Sequence, residues 1–213
     1  MMARPALLSR LHWLGHDSFR LDGPPVVYFD PWHLPKNSPP ADVILVSHEH
    51  HDHCSPDDIR AIRRPDTTIV ANPSAAAALE PPVSILRAGE EITLGGMRVR
   101  AVPAYNIDKP FHPKTAGHVG YVVFVGGESL YFAGDTDAIP EMEKLGTDVA
   151  LLPVSGKYVM TAEEAVQAAR LIGPKVAVPM HYGAGVAGSP DDAERFKRLS
   201  PVPVVVFTQE GKE

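Results

Sequence analysis

Residues 46–54 read VSHEHHDHC, which sets four histidines and an aspartate within six positions, directly after the apolar run Val43-Ile44-Leu45-Val46. Imidazole adds little to a packed core, but imidazole nitrogen and carboxylate oxygen are the ligands of divalent transition metals. The spacing is His-x-His-x-Asp-His: His48, His50, Asp52 and His53. Side chains two apart in extended chain point the same way, so His48 and His50 can grip one ion. Asp52 and His53 lie beyond the turn and can face a second. Glu49 and His51 are left over. A lone histidine is usually solvated or hydrogen-bonded, but four in this pattern behind an apolar strand point to metal.

The same arrangement recurs along the chain. VVYF runs into Asp30, LYFAG into Asp135 and VAVP-Met180 into His181, each an apolar strand followed at once by a ligand-type residue. In open α/β sheets, ligands gather beyond the carboxyl ends of strands, so residues far apart in sequence can meet in one crevice. His16, in LGHDSF, either bonds a nearby turn or contacts a ligand or substrate. Lys157 follows another strand end in PVSGKYVMT, where it is either solvated or in reach of an anionic substrate. Cys54 reads as a small packed residue.

The elements that must position these residues are short. Apolar runs suggest strands over Arg10–Leu14, Ser18–Leu21, Val26–Phe29, Val43–Val46, Thr68–Ala71, Met97–Val102, Gly120–Val125, Leu130–Ala133, Val149–Leu152, Lys175–Pro179 and Val202–Thr208. Turns within Phe19–Tyr28 and Leu94–Arg100 read as hairpins. Helices are expected over Pro56–Arg64 behind Ser55, over Thr161–Ile172 with Thr161 and Glu164 as a capping box, and after Ser189-Pro190. Ser74–Leu79 is a short fourth candidate. Strands dominate, helices come singly and no linker divides the 213 residues, so one domain spanning 1–213, with two mixed sheets covered by helices, is expected.

Hydrophobic residues at 44% permit a core without disulfides, and the lone cysteine fits a reducing compartment. The net charge of −6 and the scattered basic residues argue against nucleic acid and anionic membrane as partners. With no signal-like or membrane-spanning segment, a soluble cytoplasmic protein is expected.

Taken together, LGHDSFRL, YFDPW, SHEHHDH, YFAGDTD and VPMHYG resemble the metallo-β-lactamase superfamily, in its UlaG-like, lactonase-type branch, over nearly the whole chain. That resemblance implies a four-layer αββα sandwich of two mixed β-sheets and a dinuclear centre of two divalent ions, Zn²⁺ foremost with Mn²⁺, Fe²⁺ and Ni²⁺ open. It implies that His48 and His50 hold one ion, that Asp52, His53 and His181 hold the other, and that Asp135 bridges, with Asp52 also orienting the nucleophile. Asp30 would steady a ligand imidazole through its second nitrogen. Family members usually supply a further histidine where this chain has Tyr105, in VPAYN. His112, in a proline-flanked loop that can be aimed freely, is the preferred replacement over His118, which is tied to the next strand.

Two ions sharing a water produce hydroxide at neutral pH, so the implied activity is hydrolysis of a small ester, lactone or phosphodiester, with an anionic substrate admitted. No segment is left for the helical substrate domain of glyoxalase II-type members or for a flavodoxin domain. A di-iron oxygen-handling protein and a closed, non-catalytic metal-binding module are the alternatives from other classes. Self-association is left open.

Overall fold

A two-residue alternation explains how the sheets are covered. Val43 and Leu45 pack with Phe29, Val70, Tyr121 and Phe132 between the sheets, whereas Ile44 and Val46 pack with Ile59, Ile62 and Ala75 on the opposite face. Successive strand side chains point to opposite faces, so a strand apolar at every position must be buried on both. Both faces of the first sheet are therefore covered, one by the second sheet and the other by helices.

The computed structural model describes residues 4–211. Among them, one six-stranded sheet has the spatial order β1 (Leu11–Gly15), β2 (Ser18–Leu21), β3 (Val27–Phe29), β4 (Val43–Val46), β5 (Thr68–Ala71) and β6 (Ser84–Ile85). The other runs β12 (Val176–Met180), β11 (Val149–Pro153), β10 (Glu128–Phe132), β9 (Val119–Val125), β8 (Met97–Pro103) and β7 (Glu91–Leu94). Each sheet opens antiparallel and ends parallel: β3 to β6 in the first, β10 to β12 in the second. Helices α1 (Pro56–Ile62) and α2 (Pro73–Ala77) cover the first sheet. α3 (Ala162–Ile172) lies on β11 and against α4 (Pro190–Leu199). The result is the expected αββα sandwich. None of these helices is long and apolar enough to cross a membrane.

The helix boundaries follow their caps. Ser55 accepts a hydrogen bond from Asp58 N–H, and the Thr161–Glu164 capping box is formed on both sides. One expectation fails: Val202–Thr208 makes a single parallel bridge, Ala177 with Val204, and no strand. Pro201 and Pro203 have no N–H to donate, so only the Pro203 carbonyl and the Val205 N–H pair with β12. The two-residue β6 was passed over because Ser84-Ile85 follows Pro81-Pro82 and carries no alternation of its own.

The sheets are pinned together next to the histidine-rich turn. The buried Tyr121 hydroxyl donates to the Val46 carbonyl at 2.8 Å, and Val119 N–H donates to the Ser47 carbonyl at 3.2 Å. The end of β4 is therefore referenced to β9 of the opposite sheet. Tyr121→Phe would strand the Val46 carbonyl, and the expected loss is ~1–3 kcal/mol in urea unfolding. An unchanged midpoint would mean that water replaces the bond without cost.

Candidate metal centre

The ligand-type residues sit where parallel strands end. Asp30 follows β3, Ser47 and His48 follow β4, Asp135 lies three residues past β10, and His181 follows β12. His16 (φ 52°), Asp30 (φ 40°) and His181 (φ 61°) adopt left-handed backbone conformations that non-glycine residues avoid. Such strain is kept where the surroundings fix a side chain's aim. His181 N–H donates to the His16 carbonyl at 3.2 Å, which locks the two turns together. Gly134 (φ 61°) leaves little room for a Cβ, which would lie 3.1 Å from the Val119 carbonyl oxygen and 3.2 Å from Ser47 Cβ. Asp135 thereby approaches the end of β4 closely.

Two sets of ligand atoms meet on Asp135. In the first, His50 Nδ1 lies 3.1 Å from His48 Nε2 and 3.3 Å from His112 Nε2. A tetrahedral ion with nitrogens ~2.0–2.1 Å away places those nitrogens about 3.3–3.4 Å apart, so these two separations are close to what a shared cation requires. In the second, ligand atoms of His16, Asp52, His53 and His181 lie within 4.8 Å of one another. Asp135 spans both sets. Its Oδ2 lies 3.2 Å from His112 Nε2, 4.0 Å from His48 Nε2 and 3.4 Å from His181 Nε2, and its Oδ1 lies 3.3 Å from His53 Nε2.

An outer ring of hydrogen bonds decides which nitrogen each ring turns inward. The Asp30 carboxylate accepts from His53 Nδ1 at 2.8 Å. It also accepts from the Ser47 hydroxyl at 2.5 Å, which leaves that oxygen to accept from His48 Nδ1 at 2.9 Å. Asn106 Oδ1 and the Tyr158 carbonyl accept from His112 Nδ1 at 3.1 and 3.3 Å. Ser155 Oγ lies 2.8 Å from His181 Nδ1. With protons on Nδ1, the Nε2 lone pairs of His48 and His112 both face His50 Nδ1, and a single His50 N–H can satisfy only one. His53 Nε2, His181 Nε2 and Asp135 Oδ1 are likewise buried without a hydrogen-bond partner. Orphaned buried acceptors cost ~1–3 kcal/mol each, and converging lone pairs and a carboxylate fit divalent cations.

The electrostatics agree. Burial favours neutral Asp135, but His181 and His53 overcome it and hold the carboxyl well below the usual range. Burial likewise disfavours charge on His53 and His181. Asp135 and Asp30 nonetheless lift His53 well above its normal value, and Asp135 with Asp17 lifts His181 to about 9. Burial keeps His48 far below its normal value and lowers His112 to about 4. Asp135 demands positive charge, which imidazolium protons or divalent ions can supply. Asp52 is also lowered, since the bond from His16 (3.1 Å) and the nearby His53 outweigh burial.

The remaining expected residues fall around this cluster. His16 contacts it through Asp52, and Asp30 stands behind His53 and Ser47. His118 stacks on the His48 ring at 4.7 Å with Nε2 3.3 Å from Glu49, outside the trio. Tyr105 donates its hydroxyl to Glu141 at 2.9 Å. Lys157 is exposed and lies over the Tyr158 ring, so it does not join the cluster. Cys54 is buried, which pushes its thiol up to about 12. The cluster opens into a cleft of about 290 Å³.

Sequence reasoning missed the group that aims His112. Asn106 Oδ1 also accepts from His112 N–H at 2.9 Å, and Asn106 Nδ2 donates to Asp137 and to the Tyr158 carbonyl. Asp137 further accepts from Ile107 N–H at 2.8 Å and Lys109 Nζ at 2.7 Å. The only available signal was the second acid of AGDTD. Asp17 was also missed: it is fully buried in the cluster with neither oxygen hydrogen-bonded, and burial pushes its carboxyl well up.

The sequence matches the family model of the β-lactamase superfamily domain over residues 10–181, most of the chain. The chain belongs to the metallo-β-lactamase superfamily. Within it, a metal-dependent hydrolase of Methanoregula boonei is 36% identical over 81% of each chain. One of Thermococcus kodakarensis is 32% identical over 97% of this chain and 99% of its own. The crystal structure of a Parabacteroides distasonis protein assigned as a metal-dependent hydrolase has a TM-score of 0.83 and 34% identity, covering 92% of this chain and 91% of that one. This superfamily member is accordingly an enzyme, a metal-dependent hydrolase.

Asp137→Ala removes the acceptor that ties the His112 loop to β10. Amide exchange at Ile107 and His112 is expected to rise about tenfold or more while the strands stay protected. Unchanged protection would show that Asn106 alone holds the loop.

Proposed function

We propose that the enzyme hydrolyses a small ester, lactone or phosphodiester at a dinuclear centre. His48, His50 and His112 would hold one ion, Asp52, His53 and His181 the other, and Asp135 both. The observation that carries this reading is the convergence of both ligand sets on the two oxygens of one buried carboxylate. A histidine-rich set suits Zn²⁺ first, and the buried, unpaired Cys54 is consistent with a reducing, cytoplasmic setting.

Bound there, the ions would lower the pKa of a shared water into the neutral range and polarise the scissile oxygen. The chain's own contribution is orientation. Asp30, Ser47, Asn106 and Ser155 fix the imidazoles, so no ligand has to rotate before reaction. Asp52 has one oxygen engaged by His16 and lines the cleft, where its other oxygen can hold and orient the attacking water. The open cleft favours this reading over a closed binding module, whose ligands would fill the coordination sphere.

Elemental analysis of protein purified without chelator should find about two transition ions per chain. Asp135→Ala and His48→Ala should retain the fold by circular dichroism and lose ~10²–10³-fold or more in turnover. His112→Ala should lose about one ion. Full activity in Asp135→Ala overturns the dinuclear reading, and bound iron with visible absorbance would redirect it to oxygen chemistry.

A further inference from the structure

The cleft has two chemically different sides. Its floor is the ligand cluster, and its other side is formed by Phe111, Tyr158 and Val186. Among the described residues lining it there is no lysine or arginine. Of the nearby cations, Lys109 is engaged by Asp137 at 2.7 Å and Lys114 by Glu141 at 2.9 Å, while exposed Lys157 lies over the Tyr158 ring and does not line the cleft. Recognition of a phosphate or carboxylate beyond the reacting group is normally the work of such side chains.

The apolar side is built in. Phe111 stays 43% exposed although it follows a proline and precedes a buried histidine. Its ring stands edge-on to Tyr158, with centroids 4.7 Å apart at 83°. Its neighbour His112 is tied to Asn106 through both backbone and ring, which fixes the backbone that carries Phe111 beside the ligand cluster. An aromatic pair and a valine lining a cleft beside a polar cluster are the kind of surface on which an apolar ligand group rests.

We infer that the substrate is an uncharged carboxylic ester or lactone whose alkyl or aryl arm lies against Phe111, Tyr158 and Val186 while its carbonyl sits over the ligand cluster. This rests on the hydrolase reading of the same site and removes from it substrates that carry a phosphate or carboxylate beyond the reacting group. In the reaction, water oxygen bonds to the acyl carbon, the acyl carbon–oxygen bond breaks, and one proton goes to the leaving oxygen. The products are a carboxylic acid and an alcohol from an ester, or a single hydroxy acid from a lactone, with no change of oxidation state. The cleft is at the small end of the ~300–1,000 Å³ typical of ligand pockets, which fits a compact substrate. Phe111 and Val186 are its specificity determinants.

The test uses metal-loaded enzyme and two unreactive probes of one shape, N-phenylbutanamide and its 4-carboxylate, with affinity measured by calorimetry. The neutral amide should bind at least tenfold more tightly, and Phe111→Ala should weaken it about tenfold without altering metal content. Phe111→Leu should restore most of the affinity. The enzyme should also favour 4-nitrophenyl butyrate over bis(4-nitrophenyl) phosphate in kcat/KM. Equal or tighter binding of the carboxylate, or amide affinity unchanged in both Phe111→Ala and Val186→Ala, overturns the inference. Affinity is read without turnover, so the two readings fail separately. An inert enzyme with the expected binding pattern refutes hydrolysis, whereas an active one indifferent to Phe111 refutes the apolar wall.

Discussion

One buried carboxylate sets the terms for the rest of the molecule. Asp135 is 3% exposed and held ionised, within 4.0 Å of ring nitrogens from His48, His53, His112 and His181. An isolated charge in such a place would be prohibitive, so the fold must deliver positive charge to both of its oxygens. Four histidines, from the ends of β4 and β12 and from one loop, do this, and each arrives with its outer nitrogen already engaged. The clamp from Tyr121 to Val46, the glycine before Asp135 and the left-handed turns at His16, Asp30 and His181 can all be understood as the means of bringing those segments within reach.

The sequence made much of this legible, and for identifiable reasons. Strand β4 coincides with its apolar run because a strand buried on both faces has no polar position to blur its ends. His48, His50, Asp52, His53, Asp135 and His181 come together because each immediately follows such a strand or its turn. The AGDTD and PMHYG turns are short, so the side chain cannot stray. The run 202–208 misled because its apolar content resembles a strand while Pro203 within it and Pro201 before it have no N–H to give to a ladder.

What stayed hidden works through hydrogen bonds rather than pattern. Ser47, Asn106, Asp137 and Ser155 are ordinary polar residues in sequence, and only three-dimensional proximity makes them orient imidazoles. Asp17 is hidden differently. Beside His16 it looks like one more turn residue, yet it is fully buried without a hydrogen bond. Burial there pushes its carboxyl well up.

His112 differs from the other ligands in kind, and the difference has a consequence for how the site works. His48, His53 and His181 are fixed by strand ends, whereas His112 is carried on a loop held by the Asn106–Asp137–Lys109 network. The same loop presents Phe111 to the cleft, one residue away. His112, a candidate ligand of the first set, and Phe111, which lines the cleft, therefore share a single support. On the proposed reading any shift of that loop would alter both together, so substitutions around Asp137 would couple metal affinity to substrate choice. Substitutions in the sheets, which hold the other ligands, leave the two separable.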